Sequence, residues 1–195
     1  FAGRAEAYSR EAGRAPTEAD AHPPAGTGAS AGESRRQRVI GPAPPGEDDG
    51  EEFLTALYVM APQGTAFAGP AVRQALEAEG LEFGAMDIYH RPPDLGNAGV
   101  IYSVASAVEP GTLKPDELDD QAVPGLALFM RLPGPEENTT AFERLLEGAQ
   151  GIARRLGGEL RDERRSVLSN QTIQHLREQV RDYGRRRALA AASNR

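Results

Sequence analysis

Asp87-Ile88-Tyr89-His90 places a carboxylate and an imidazole three positions apart, a pairing that general acid–base chemistry could use. In an extended segment, residues three apart point to opposite faces, so these two cannot meet there. Asp116-Glu117-Leu118-Asp119-Asp120 gathers carboxylates that could attract a hard cation. It lacks the central Gly and terminal Glu of a calcium loop and reads as a solvated acidic stretch. Gly64-Thr65-Ala66-Phe67-Ala68-Gly69 is bounded by glycines, yet no Lys-Ser/Thr follows, so it is not a phosphate-binding loop. There is no Cys, which removes thiolate nucleophiles, disulfides and thiolate zinc sites, and the three His (His22, His90, His175) are scattered. No nucleophile stands at a workable spacing from a base. The residues therefore read as non-enzymatic, with no catalytic group, metal, cofactor or small-molecule substrate.

What such residues could do depends on the elements that carry them. With 195 residues, 39% apolar and 6% aromatic, 22 Gly, 15 Pro and no Trp, one domain plus a segment without a core is the expected organisation. The net charge of −7 is uneven: residues 1–52 carry −4, residues 53–152 carry −9 and residues 153–195 carry +6. An acidic body repels a phosphate backbone, so nucleic acid is not an expected partner; the arginines at 185–187 read as a solvated terminal run. No apolar run approaches the roughly 20 residues a bilayer span needs, and nothing at the start resembles a secretory signal. The chain begins with Phe1, not Met, and reads as a piece of a longer protein.

Residues 1–50 are rich in Ala, Gly, Pro and charge, ending in Pro42-Ala43-Pro44-Pro45-Gly46 and an acidic run, and read as disordered linker. At Phe53 the character changes. Phe53 to Met60 predicts a strand closed by Pro62 and Gly64. Pro70, Val72, Ala75, Leu76 and Gly80 predict a short helix with a glycine stop. Extended runs follow over Leu81–Tyr89 and Val100–Val108, and Pro124 and Pro133 bracket another strand. Thr140 and Glu143 have capping-box spacing before a helix whose apolar residues recur from Phe142 to Leu156 and stop at Gly157-Gly158. Short strands around 159–161 and 166–168 and a last helix capped by Ser169 complete the domain at 51–185, leaving 186–195 as a flexible basic tail.

The order β-α-β-β-β-α-β-β-α has too few helices to cover both faces of a sheet. It predicts an α+β fold, one antiparallel sheet with helices on one side in the split β-α-β style. Strand alternation then sorts residues by face. Leu126, Leu128, Met130 and Leu132 belong under the helices, as do Tyr102, Val104 and Val108. The bare face receives Phe129, Ser103, Ala105, Ala107, Met86 and Ile88, with Leu54 and Tyr58 by the same alternation. That is a shallow apolar groove for a partner, or else a surface covered by another element or a second copy.

Several segments together resemble the C-terminal, FtsZ-binding domain family of the bacterial division protein ZipA. They are residues 83–91 (Phe83 to Arg91), Pro110-Gly111-Thr112, Pro124 to Pro133, and Gly157-Gly158 followed by Asp162 and Arg164-Arg165. The resemblance runs from about Leu54 to Tyr183. It implies about six antiparallel strands, three helices on one side, and the C-terminal tail of FtsZ lying across the open face. It also implies a cell-division adaptor at the cytoplasmic side of the inner membrane, reaching the membrane only through an N-terminal helix absent from this chain. Carried over residue by residue, the groove positions are Ala56, Met86, Ile88, Ala105, Ala107, Ala127 and Phe129, with Leu54 and Tyr58 at the margin. Ala107 and Glu109 depart from the family's usual Met-like and basic residues, which implies a more open end of the groove. A small-molecule or enzyme domain of the same architecture, and a sheet that binds RNA, are the rival readings.

Overall fold

The computed structural model describes residues 52–94 and 98–193, so the linker expected over 1–50 lies outside the described residues. Strand β1 (Phe53–Met60) is β-branched, aromatic and aliphatic throughout and pairs along its full length with a later strand. A two-residue strand β2 (Phe67–Ala68) leads into helix α1 (Gly69–Ala78), which starts on Pro70 and is followed by Gly80 at φ 72°. Next come β3 (Glu82–Phe83), a 3₁₀ turn at Ala85–Asp87, β4 (Tyr89–Arg91), β5 (Tyr102–Ser106) and the single-turn helix α2 (Pro115–Leu118). The chain ends with β6 (Ala122–Val123), β7 (Gly125–Leu132), α3 (Asn138–Leu156), β8 (Glu159–Arg161) and α4 (Asn170–Ser193).

The main sheet has six strands in the order β3-β4-β5-β7-β1-β8, every neighbour antiparallel. Helices α1, α3 and α4 send Val72, Leu76, Phe142, Leu145, Ile152, Val180 and Tyr183 into the same core as Leu57, Val59, Val104, Leu128 and Leu132. One sheet face is thus sealed. The Tyr183 hydroxyl donates to the Leu132 carbonyl at 3.0 Å, and Arg177 grips Glu143 through two bonds of 2.6 and 2.7 Å, holding α4 to the sheet and to α3. Gly157 at φ 66° ends α3 in the left-handed conformation that glycine enters most cheaply.

The α+β class, the six-stranded antiparallel sheet and the alternation in β1, β5 and β7 match the sequence reading, while β2 and β6 form a separate two-stranded ladder that it did not contain. Several details differ. Leu81–Tyr89 is not one strand: Met86 and Asp87 adopt φ of 60° and 58°, which breaks the extended backbone into β3, a turn and β4. The cap of α3 is Glu137, whose carboxylate accepts the Thr140 N–H at 2.9 Å, while the expected box partner Glu143 is turned to Arg177. Val108 lies beyond β5 and is exposed, not buried. Residues 166–168 contribute one isolated bridge, Val167 to Arg161, and no strand. Helix α4 continues to Ser193, so 186–193 is helical past the boundary expected at 185. Ser169 does cap it, its hydroxyl accepting the Thr172 N–H at 3.1 Å.

Candidate functional site

Alternation along the central strands builds the second sheet face from small and apolar side chains. One row crosses four strands, with Ala56 opposite Phe129, Phe129 opposite Ser103 and Ser103 opposite His90. The next row sets Tyr58 opposite Ala127 and Ala127 opposite Ala105. Ala56, Tyr58, Ala105, Ala107, Ala127 and Phe129 are all half-buried, and Leu54 at the margin is exposed and faces Arg131 across the strands. The backbone of Ala107 prolongs the β5–β7 ladder by donating to the Gly125 carbonyl at 2.9 Å. The flat Ala floor around Phe129 is therefore a consequence of the same period-two pattern that fills the core.

Met86 and Ile88 reach this region by a different route. The 85–87 turn projects Met86 into solvent at 60% exposure, whereas Ile88 is 5% exposed and offers almost no surface to a partner in this conformation. Backbone bonds from Gly84 N–H to the Ile88 carbonyl (3.0 Å) and from Leu113 N–H to the Asp87 carbonyl (2.7 Å) close the turn. Lys114 lies between the Asp87 and Glu117 carboxylates, at 3.9 and 3.2 Å, and its bond to Glu117 holds its pKa above the ordinary lysine value.

Asp87 and His90 are not brought together. The ring of His90, fully buried, has Nδ1 at 2.8 Å from the Ser103 hydroxyl and Nε2 at 2.9 Å from the Ala85 carbonyl. Burial lowers its pKa below 6.5. A hydroxyl bonded to an imidazole has the form of a nucleophile and base, but Ser103 is 4% exposed and the second ring nitrogen is occupied by a backbone carbonyl. Burial likewise pushes Tyr102 up to about 12, and its hydroxyl faces Gly148 of α3 inside the core. Among the described residues, no group of three or more His, Asp or Glu could hold a metal ion.

The sequence reading left three parts of this face unassigned. Arg165, at the tip of the turn after β8, lies with its guanidinium carbon 4.4 Å from the centroid of the Tyr58 ring. The turn is fixed by Asp162, which accepts the N–H groups of Arg164 and Ser166, both at 2.9 Å. Met60 continues the Tyr58 side of β1, which alternation alone could have shown. Glu163 closes part of the free edge of β1, accepting the Ala56 N–H at 3.0 Å. Nothing in local sequence pattern gives the positions of Glu163 and Arg165; the pairing of β8 with β1 sets them.

A single sheet sealed by helices on one face and apolar on the other defines a small α+β module whose distinctive surface is a sheet face, not a cleft. The family described as ZipA, C-terminal FtsZ-binding domain, matches residues 54–179. Similar proteins include the cell division protein ZipA of Marinobacter nauticus, 48% identical over 134 residues, which are 68% of this chain and 40% of that protein. ZipA of Azotobacter vinelandii is 41% identical over 137 residues, 70% of this chain and 48% of that one. ZipA of Pseudomonas fluorescens is 36% identical over 158 residues, 80% and 53% respectively. The chain belongs to the ZipA C-terminal domain family, and it spans about half the length of the curated relatives it matches.

Proposed function

We propose that this domain is a non-enzymatic cell-division adaptor that binds the C-terminal tail of FtsZ on the open sheet face. The proposed contact set is Leu54, Ala56, Tyr58, Met86, Ala105, Ala107, Ala127 and Phe129, with Ile88 buried behind it and not in contact. In the longer protein it ties FtsZ polymers to the cytoplasmic side of the inner membrane. The single observation that carries the reading is the placement of half-buried Phe129 between Ala56 and Ser103 on the open face, in the row whose His90 is bonded to the turn that exposes Met86. A solvated sheet face is ordinarily polar, and an apolar one on an acidic body marks a partner surface. No helix among the described residues is long and apolar enough to cross a membrane.

Affinity follows from the number of anchors. Two or three apolar side chains contribute roughly 1.5–3 kcal/mol each when fully buried. Association and ordering of a flexible tail cost several kcal/mol in return. The expected dissociation constant is micromolar, and many tails presented on one polymer raise the effective binding without new contacts. Calorimetric titration with a synthetic FtsZ tail peptide tests this. Saturation in the micromolar range supports it, and absence of saturable binding at high micromolar concentration refutes it.

A further inference from the structure

We propose that His90 is a positioning residue for partner recognition: sealed beneath the open face, its ring holds the 85–87 turn in the conformation that presents Met86 to a bound peptide. The inference rests on the reading of this face as the FtsZ-tail site. A carbonyl can only accept, so the 2.9 Å contact with Ala85 requires the proton on Nε2. In the neutral ring Nδ1 is then an acceptor, and the Ser103 hydroxyl donates to it at 2.8 Å. The imidazole is thereby fixed at both ends, one to β5 and one to the turn.

What it fixes is a backbone that does not hold itself. Met86 and Asp87 are consecutive non-glycine residues at φ of 60° and 58°, where the Cβ crowds the following carbonyl. Such conformations persist only when the surroundings over-determine them, and they gather at sites where a side chain must be presented. The ties on this turn are the Gly84–Ile88 and Leu113–Asp87 backbone bonds, the exposed Lys114–Asp87 pair and the His90 bond. Of these, only the His90 bond links the turn to the floor of the open face through a buried side chain. The side chain so presented, Met86, is 60% exposed and lies outside the core cluster, so its placement contributes little to the free domain. A strained turn, a sealed imidazole and an exposed thioether have a common purpose if Met86 is an anchor.

Two substitutions separate the halves of the ring. In His90→Gln the longer amide keeps a donor within reach of the Ala85 carbonyl, whereas in His90→Asn the shorter amide reaches only Ser103. Titration with the FtsZ tail peptide is expected to show His90→Asn weakened about fivefold or more and His90→Gln within about twofold of the parent. In a Met86→Ala background the same His90→Asn change is expected to cost no further affinity, because the two residues act through one contact. In the free protein labelled at the methionine methyls, His90→Asn is expected to move the Met86 resonance and leave that of core Met130 in place. If His90→Asn does not fold, Ser103→Ala, which removes the donor to Nδ1, is expected to give a smaller loss that also vanishes in the Met86→Ala background. Unchanged affinity of a folded His90→Asn protein overturns the inference, as does an equal loss in both backgrounds. Absence of binding by the parent protein instead overturns the partner reading, and the recognition half of this inference with it.

Discussion

Replacing Met86 separates what a residue does for the fold from what it does for a partner. At φ 60° an L side chain is strained by about 1–2 kcal/mol, which Gly relieves, while the extra freedom of Gly in the unfolded chain takes back roughly 0.5–1 kcal/mol. Met86 is 60% exposed, so truncation forfeits little burial in the free domain. Met86→Gly is therefore expected to be neutral or to stabilise by up to about 1.5 kcal/mol, and Met86→Ala, which keeps the strain, to be the less stable of the two. Affinity should move the other way. Covering the exposed part of a Met side chain contributes about 1–2 kcal/mol, so both variants should bind the FtsZ tail roughly 5- to 30-fold more weakly. Urea unfolding followed by circular dichroism reads the first quantity and calorimetry the second. If Met86→Gly is the less stable variant, the turn is not strained as argued. If either variant binds like the parent, Met86 is not an anchor.

Phe129→Ala should weaken the tail peptide by more than about 1 kcal/mol, since Phe129 occupies the centre of the open face, and unchanged affinity in a folded variant would move the site elsewhere. Gly148→Ala tests the sealed face: a Cβ there would lie 2.1 Å from the hydroxyl of buried Tyr102. Despite the better helix propensity of Ala, a loss of about 1–3 kcal/mol in stability is expected, with peptide affinity of the folded fraction unchanged. Acid should act in two stages. Burial depresses the His90 pKa below 6.5, so the unfolded chain takes up the proton first; stability is full above that pH, falls as pH drops below it, and falls less in His90→Gln. Glu143, depressed by its bonds to Arg177, and Glu137, depressed by the Thr139 and Thr140 N–H groups, stabilise the fold above the ordinary carboxylate range. That contribution is lost as pH falls below that range toward their depressed folded pKa values, and thermal melts from pH 8 to pH 3 would show the onset of both stages.

Legibility followed the strength of the local pattern. Residues 53–60 and 125–132 alternate without interruption, and α3 carries apolar residues at helical spacing from Phe142 to a glycine stop, so their type, limits and buried faces were readable. The segment 81–91 was not, because two left-handed residues of ordinary type, Met86 and Asp87, interrupt the alternation with no glycine or asparagine at those positions to mark it. The cap of α3 was misassigned because Glu137 and Thr140 can each satisfy the helix's free N–H groups, and tertiary pairing with Arg177 drew Glu143 away. The ladder of β2 with β6 is two residues long, too short for any period to show. Arg165 reached Tyr58 through a turn whose register is set by β8 pairing, which is tertiary information.

The open face that carries the candidate site was legible for a reason that goes beyond family resemblance. An antiparallel sheet with one solvated face writes polar residues at every second position, and here the out-facing set over the central strands is mostly small or apolar: Leu54, Ala56, Tyr58 and Met60 on β1, Ala127 and Phe129 on β7, and Ser103 and Ala105 on β5. Charge on this face comes from Arg131 opposite Leu54, Arg161 and Glu159 opposite Tyr58 and Met60, Glu82 opposite His90, and Arg165 over Tyr58, all toward its margins. Alternation that fails to produce polarity, on a body with a net charge of −9 over residues 53–152, has to be maintained against solubility. On the proposed reading, a bound apolar segment would supply the compensating burial, with small Ala side chains in the floor letting its backbone approach Phe129. If the face were only tolerated surface, polar substitution at Ala127 would leave peptide affinity unchanged and raise solubility; as a docking floor, Ala127→Asp is expected to abolish saturable binding while the core-facing half of β7 keeps the domain folded.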